Sequence, residues 1–255
     1  MLREFSRASS SLNHKEYPPP PTYLPYQISS DEVRYVIRML QTMAGRLKRL
    51  FAGRRTVAVS PDLDSPPIRF VKRDLPYRQI MDVSEYRIGD IQSADVVIDI
   101  GANVGAFCIR AARYSDHVVA VEPVACGILR ENIELNHALV KVIEGALGDG
   151  KPGEVEWDGT RVPVQTYTLG EIIGMAGGCD FLKCDCEGGE WLIRPEDLAG
   201  IRRIEMELHL PPIGGPPNPE LLDYIGDHYD FEIERLPLHD TLGVMGVLHA
   251  ERWGR

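Results

Sequence analysis

From residue 94 onward, short apolar runs alternate with stretches of helical spacing. The runs fall at 96–100, 118–121, 140–143, 181–184 and 204–208. Between them, 106–114 and 127–136 place apolar side chains three and four residues apart, which one buried helix face requires. Strand-like runs alternating with helical stretches predict a mostly parallel sheet with crossover helices. Two last runs, 231–236 and 243–249, predict a terminal hairpin with an antiparallel edge.

The chain before residue 91 follows other patterns. Pro18 to Pro21 are consecutive, and Pro25 follows. Such a run has few backbone donors and a fixed φ, so residues 1–28 are expected as an extended arm. Ser29 and Glu32 then have capping-box spacing. Apolar positions recur at Val33, Val36, Ile37, Leu40, Met43, Ala44, Leu47, Leu50 and Phe51, and Gly53 offers a stop. The spacing predicts a helix over 31–53, with Arg34, Arg38, Arg46, Lys48 and Arg49 off its apolar stripe. A packing helix with a solvated basic face is the favoured reading, and peripheral contact with a membrane surface is the alternative. Residues 56–90 alternate apolar pieces with Pro and Asp and have no clear assignment. The expected division is a Pro-rich arm (1–28), a helical extension and linker (29–90), and the main domain (91–255).

Composition narrows the picture. With 44% hydrophobic and 26% charged residues, the chain reads as a globular protein. Its net charge of −10 disfavours nucleic acid as a partner, because phosphate backbones need a basic surface. The five cysteines are an odd number without secretory features, which suits a reducing compartment, and a cytoplasmic location is expected. No apolar run is long enough for a membrane span.

The sharpest chemistry begins at residue 96. An apolar run ends at Asp99, and Gly101-Ala102-Asn103-Val104-Gly105 makes a turn that opens a helix. The second run ends at Glu122, 21 positions beyond Gly101 (122 − 101), where an acid can accept hydrogen bonds from two ribose hydroxyls. Together these predict an adenosine-containing cofactor. A dinucleotide needs a second glycine so that the backbone can approach its pyrophosphate. Asn103 stands in that place, so the pattern favours S-adenosylmethionine over a nicotinamide dinucleotide.

A second constellation is Leu182-Lys183-Cys184-Asp185-Cys186-Glu187-Gly188-Gly189-Glu190, which sets three carboxylates past a strand end. Downstream, Glu207 and His209 share one face of a strand by period-two alternation. Taken in order over residues 94–210, these segments resemble the FkbM family of methyltransferases. The Val121-Glu122-Pro123 acid and the lead-in Val164 to Leu169 belong to the same resemblance. It implies a Rossmann-like class I methyltransferase fold, α/β with a mostly parallel sheet and a terminal antiparallel strand. It further implies S-adenosylmethionine as methyl donor and a hydroxyl acceptor on a small molecule or glycan. By the match, Asp99, Gly101, Asn103, Gly105 and Glu122 would hold the cofactor, with Asp185 beside them. Cysteines flank Asp185 where the family has aliphatic residues.

Methyl transfer to a hydroxyl also needs a proton acceptor. Asp185, Glu187 and His209 are the candidate catalytic groups, His209 because an unperturbed imidazole titrates near neutral pH. Glu190 and Glu207 could bind acceptor hydroxyls or a metal. Cys179, Cys184 and Cys186 lack zinc spacing and read as small buried residues, with Cys184 and Cys186 on the face opposite Asp185. Trp191 reads as a core or rim residue before a sugar-stacking one. The alternatives are N-methylation of protein or RNA and a non-catalytic S-adenosylmethionine-binding module. Residues 1–90 and 211–219 are the segments expected to select the acceptor.

Overall fold

The computed structural model describes residues 68–71, 83–157, 159–235 and 243–254. The expected arm at 1–28 and the helix at 31–53 lie outside them. Among the described residues, no helix is long and apolar enough to cross a membrane.

The order of elements follows the predicted alternation. Strand β1 (Val96–Ile100) leads through helix α1 (Ala106–Ala111) to β2 (His117–Glu122), and α2 (Cys126–Leu135) leads to β3 (Val140–Glu144). Two small sheets follow. Short strands β4 (Ala146–Leu147) and β7 (Thr166–Tyr167) pair in parallel, and β5 (Gly153–Trp157) and β6 (Thr160–Val164) form a hairpin between them. Helix α3 (Leu169–Ala176) precedes β8 (Phe181–Cys184) and β9 (Arg203–His209). The chain then runs through α4 (Pro219–His228) into β10 (Tyr229–Glu234) and β11 (Val244–Arg252).

The seven long strands form one sheet in the order β10-β11-β9-β8-β1-β2-β3. Pairing is parallel from β3 to β9, and β11 runs antiparallel to both β9 and β10. This is a Rossmann-like class I methyltransferase fold. The hairpin forms as expected, but its antiparallel strand is not the edge. Strand β11 is buried for seven consecutive residues, Val244 to Ala250, as a strand covered on both faces must be. Strand β10 buries only alternate positions to any degree, which suits an edge.

Two apolar layers follow from strand alternation. On one face, Val97, Val118, Ala120 and Phe181 pack with Phe107, Ile109 and Leu129 of α1 and α2. Val83, Tyr86, Ile88 and Ile91 join the same core, so the folded unit includes residues ahead of the expected boundary at 91. Opposite them, Ile98, Ile100, Leu182, Ile204, Met206 and Leu208 are fully buried, as are Leu169 and Ile172 of α3 and Leu221 and Ile225 of α4. Helix α3 starts with a complete capping box between Thr168 and Glu171, and Asn218 caps α4 ahead of Pro219. Neither helix was anticipated. Helix α1 ends at Ala111, three residues early, because Arg113 and Tyr114 donate to carbonyls only three residues back.

Candidate active site

The glycine turn, Glu122, the 185–190 loop and the end of β9 all lie at the carboxyl ends of parallel strands, the side where ligands bind in such sheets. Gly101, Asn103 and Gly105 have positive φ (73°, 49° and 95°). A Cβ on Gly101 would lie 1.7 Å from the Asp185 carbonyl oxygen, so only glycine lets the turn touch the start of the carboxylate loop. Glu122 is buried, and its carboxylate accepts backbone N–H groups of Asn103 (2.9 Å), Val124 (2.8 Å) and Ala125 (2.8 Å). It therefore ties the turn to the second strand end. Three of roughly four carboxylate acceptor positions are used this way.

Asp99 stands lower than the resemblance implied. It is fully buried, accepts the Cys108 N–H at 3.1 Å, and forms an ion pair with Lys183 Nζ at 3.1 Å. Asp99 and Lys183 are direct cross-strand partners on β1 and β8. Lys183 also donates to the carbonyls of Ile100 (3.4 Å) and Gly101 (3.2 Å) and lies 3.7 Å from Asp185. Asp99 thus shapes the turn from beneath and does not face the crevice. Burial pushes its pKa up despite the lysine. Burial opposes the charge of Lys183, but Asp99 and Asp185 outweigh it and raise the lysine further above its usual range.

Past the turn, one histidine collects four carboxylates. His209 Nε2 lies 3.3 Å from Glu207, 3.5 Å from Glu187 and 3.8 Å from Asp185. On its other side, Glu190 accepts the His209 backbone N–H at 2.6 Å and sits 3.2 Å from Nδ1. Glu190 is fully buried and also accepts the Gly188 N–H at 2.9 Å. Trp191 is buried and donates its indole N–H to the His209 carbonyl at 2.7 Å, so it fixes the strand end and offers no stacking face.

The three expected catalytic groups therefore do meet, with Glu207 among them. Their ionisation differs from the sequence expectation for His209. Burial works against an imidazolium, but the hydrogen bonds and charges of Glu190, Glu207 and Asp185 outweigh it and push the pKa up to about 11. A histidine so held is a proton donor or a ligand, not a free base. Burial raises Glu187 and Glu207 above the usual carboxylate range. Asp185 is lowered: burial opposes this, and Lys183 and His209 prevail.

Sequence reasoning passed over Tyr86, which donates its hydroxyl to Asp185 at 3.1 Å and packs edge-on against Phe107. Its only sequence signal is the apolar spacing of Val83, Tyr86, Ile88 and Ile91 within the unassigned stretch. Lys183 carried a clearer signal, because a cation inside a buried strand must find an anionic partner. Cys184 and Cys186 share a face as expected, with their sulfurs 3.5 Å apart. Gly214, in the proline-rich 211–219 segment, lies against Gly188 and the His209 carbonyl, so this segment borders the crevice.

The donor set fits S-adenosylmethionine. Asn103 Oδ1 is sealed from solvent and unpartnered, and it joins Glu122 and Asp185 in an acceptor-rich rim. Acceptors suit a ligand with hydroxyl and ammonium donors and a sulfonium; a pyrophosphate would need donors instead.

Residues 81–169 match the TRM5/TYW2 methyltransferase domain. No curated protein matches. Among solved structures, the chain is similar to precorrin-6y C5,15-methyltransferase from Geobacter metallireducens at 14% identity and TM-score 0.43, covering 73% of this chain and 93% of that one. It is similar to precorrin 8w decarboxylase from Methanobacterium thermoautotrophicum at 15% identity and TM-score 0.44, covering 74% and 95%. Trm5b from Pyrococcus abyssi shares 18% identity at TM-score 0.38, covering 65% of this chain and 46% of that one. Likenesses this distant carry no functional argument. The matched domain, on this sheet topology, makes the chain a class I methyltransferase that depends on S-adenosylmethionine.

Proposed function

We propose that this protein transfers a methyl group from S-adenosylmethionine to a hydroxyl on a small molecule or glycan. The observation that carries the reading is the carboxylate-rich crevice in which Asp185, Glu187 and Glu207 converge beside the glycine turn. The cofactor supplies an activated methyl group. What remains for the protein is to align the acceptor for in-line attack and to receive its proton. Gly101, Asn103, Gly105 and Glu122 form the cofactor cradle in this reading. Asp185, held ionised by Lys183 and fixed by Tyr86, orients the reacting groups. Glu207 and Glu187 receive the proton, since their raised pKa values make them better bases than an ordinary surface carboxylate. His209 holds the carboxylates in register. The FkbM resemblance over 94–210 supports the hydroxyl acceptor.

The domain match at 81–169 favours a second reading, N-methylation of an RNA base, and brings back a partner class that the net charge disfavoured.

Thermal unfolding with S-adenosylmethionine, S-adenosylhomocysteine and NAD tests the cofactor. A ligand at 100 times its Kd adds about 2.7 kcal/mol of stability. A shift with the two sulfur ligands and none with NAD is expected; a shift with NAD alone would overturn the reading. Labelled methyl transfer to polyol and phenol libraries against bulk RNA then separates the two acceptors. Asp185→Ala should abolish turnover while S-adenosylhomocysteine still binds, and unchanged turnover would remove Asp185 from the mechanism.

A further inference from the structure

Three carboxylate oxygens face a single imidazole nitrogen in the crevice. His209 Nε2 has Glu207, Glu187 and Asp185 within 3.8 Å, whereas one N–H can serve only one of them well. One ligand atom from each of Asp185, Glu207 and His209 lies within 4.8 Å of the other two. A six-coordinate cation with ligands at about 2.1 Å sets neighbouring ligand atoms about 3.0 Å apart and opposite ones about 4.2 Å apart. His209 Nε2 lies 3.3 Å from Glu207 and 3.8 Å from Asp185, between those two spacings, and no pair in the group exceeds the opposite spacing by more than about 0.6 Å (4.8 − 4.2).

A second feature points the same way and does not depend on the acids at the rim. His209 is almost fully buried, and its ring is set from behind by Glu190, a fully buried carboxylate beside Nδ1. A carboxylate behind a histidine fixes the tautomer and turns the other nitrogen outward, the arrangement that supports metal-ligating histidines. Trp191 and Glu190 both anchor the backbone of residue 209, so Nε2 is held in place.

We propose that Asp185, Glu207 and His209 form a binding site for a divalent cation of the Mg2+/Mn2+ class, with Glu190 as the positioning residue behind the histidine. Two carboxylates and one imidazole suit Mn2+ or Mg2+ better than a soft, thiolate-seeking ion. A cation there displaces the Nε2 proton of His209 and takes over its role of offsetting the repulsion among the acids, with coordination positions beyond these three left for other ligands. An acceptor oxygen reaching one of those positions would be polarised, with Glu187, outside the cation's ligand set, left to receive its proton. This deepens the hydroxyl-transfer reading above and rests on it for that last step, whereas cation binding itself does not.

The test is Mn2+ titration of the full-length chain, followed by the electron paramagnetic resonance signal of free Mn2+, with S-adenosylhomocysteine binding measured in parallel. The expected result is one saturable Mn2+ per chain, weakened at least tenfold in Glu207→Gln and in Asp185→Asn, with S-adenosylhomocysteine binding retained by Glu207→Gln. Glu190→Gln should weaken Mn2+ by about 10–100-fold as a supporting residue. Should a variant fail to fold, Mn2+-induced broadening of the His209 imidazole resonances in the wild-type chain decides the matter. Absence of saturable Mn2+ binding, wild-type affinity in both carboxylate variants, or unbroadened His209 resonances would overturn the site. Loss of the cation site with intact S-adenosylhomocysteine binding leaves the methyltransferase reading standing; Mn2+ binding without S-adenosylhomocysteine binding does the reverse.

Discussion

Lys183→Met isolates the buried ion pair beneath the glycine turn. Methionine keeps the length and apolar stem of lysine and removes only the charge and its donors. Lys183 Nζ lies 3.1 Å from Asp99 Oδ1, and Asp99 has no exposure to water. At an effective dielectric constant of about 20, a pair at that distance attracts by roughly 5 kcal/mol, most of which offsets the cost of burying both charges. In the variant the desolvation of Asp99 remains while the attraction is gone. Breaking one side of a buried pair costs about 3–5 kcal/mol. For a folded unit of this size that lowers Tm by about 6–20 °C. Asp99→Asn/Lys183→Met should recover at least half of the loss, since asparagine can still accept the Cys108 N–H without a buried charge. Calorimetry of the four proteins of this cycle measures the coupling directly.

The pH dependence has a defined sign. Burial raises the folded-state pKa of Asp99 above its unfolded value, and removal of Lys183 raises it further. The penalty on the ionised form is complete above the folded pKa and disappears as the pH falls toward the unfolded one. The deficit of Lys183→Met should therefore shrink between pH 8 and pH 5. A loss below about 1 kcal/mol, a double variant no more stable than the single, or a deficit that grows on acidification would refute this account of the turn.

Three further outcomes follow from the same geometry. Gly101→Ala forces a methyl group into the Asp185 carbonyl at a positive φ; urea denaturation should show a loss of more than about 4 kcal/mol or no folded protein at all. Glu122→Gln leaves one of three backbone donors poorly served, so it should lose about 1–3 kcal/mol and bind S-adenosylhomocysteine at least tenfold more weakly by calorimetry. Trp191→Phe strands the His209 carbonyl and should lower stability by about 1–3 kcal/mol in urea, with S-adenosylhomocysteine affinity within twofold of wild type.

The alternation of runs from residue 94 determined much of this protein. The strand-like runs at 96–100, 118–121 and 140–143, with the helical stretches 106–114 and 127–136 between them, call for parallel crossover connections and so for a sheet covered on both faces. The turn was legible for a local reason: its positive-φ glycines and the acid at the next strand end are contiguous features of backbone chemistry. The Glu207 and His209 pair was legible because strand periodicity is a short-range rule.

What the tertiary structure alone decided depends on distance in the chain. The position of β11 between β9 and β10 follows from which strand has two faces to bury, a property of the assembled sheet. Tyr86 reaches Asp185 across 99 positions, and no local pattern encodes such a contact. Asp99 and His209 carried the right residue types for their expected roles, yet their surroundings changed what each can do. Burial beside Lys183 turned one from a ligand contact into a foundation. Four converging carboxylates turned the other from a free base into a held cation or a metal ligand, because ionisation is set by neighbours that only the fold brings together.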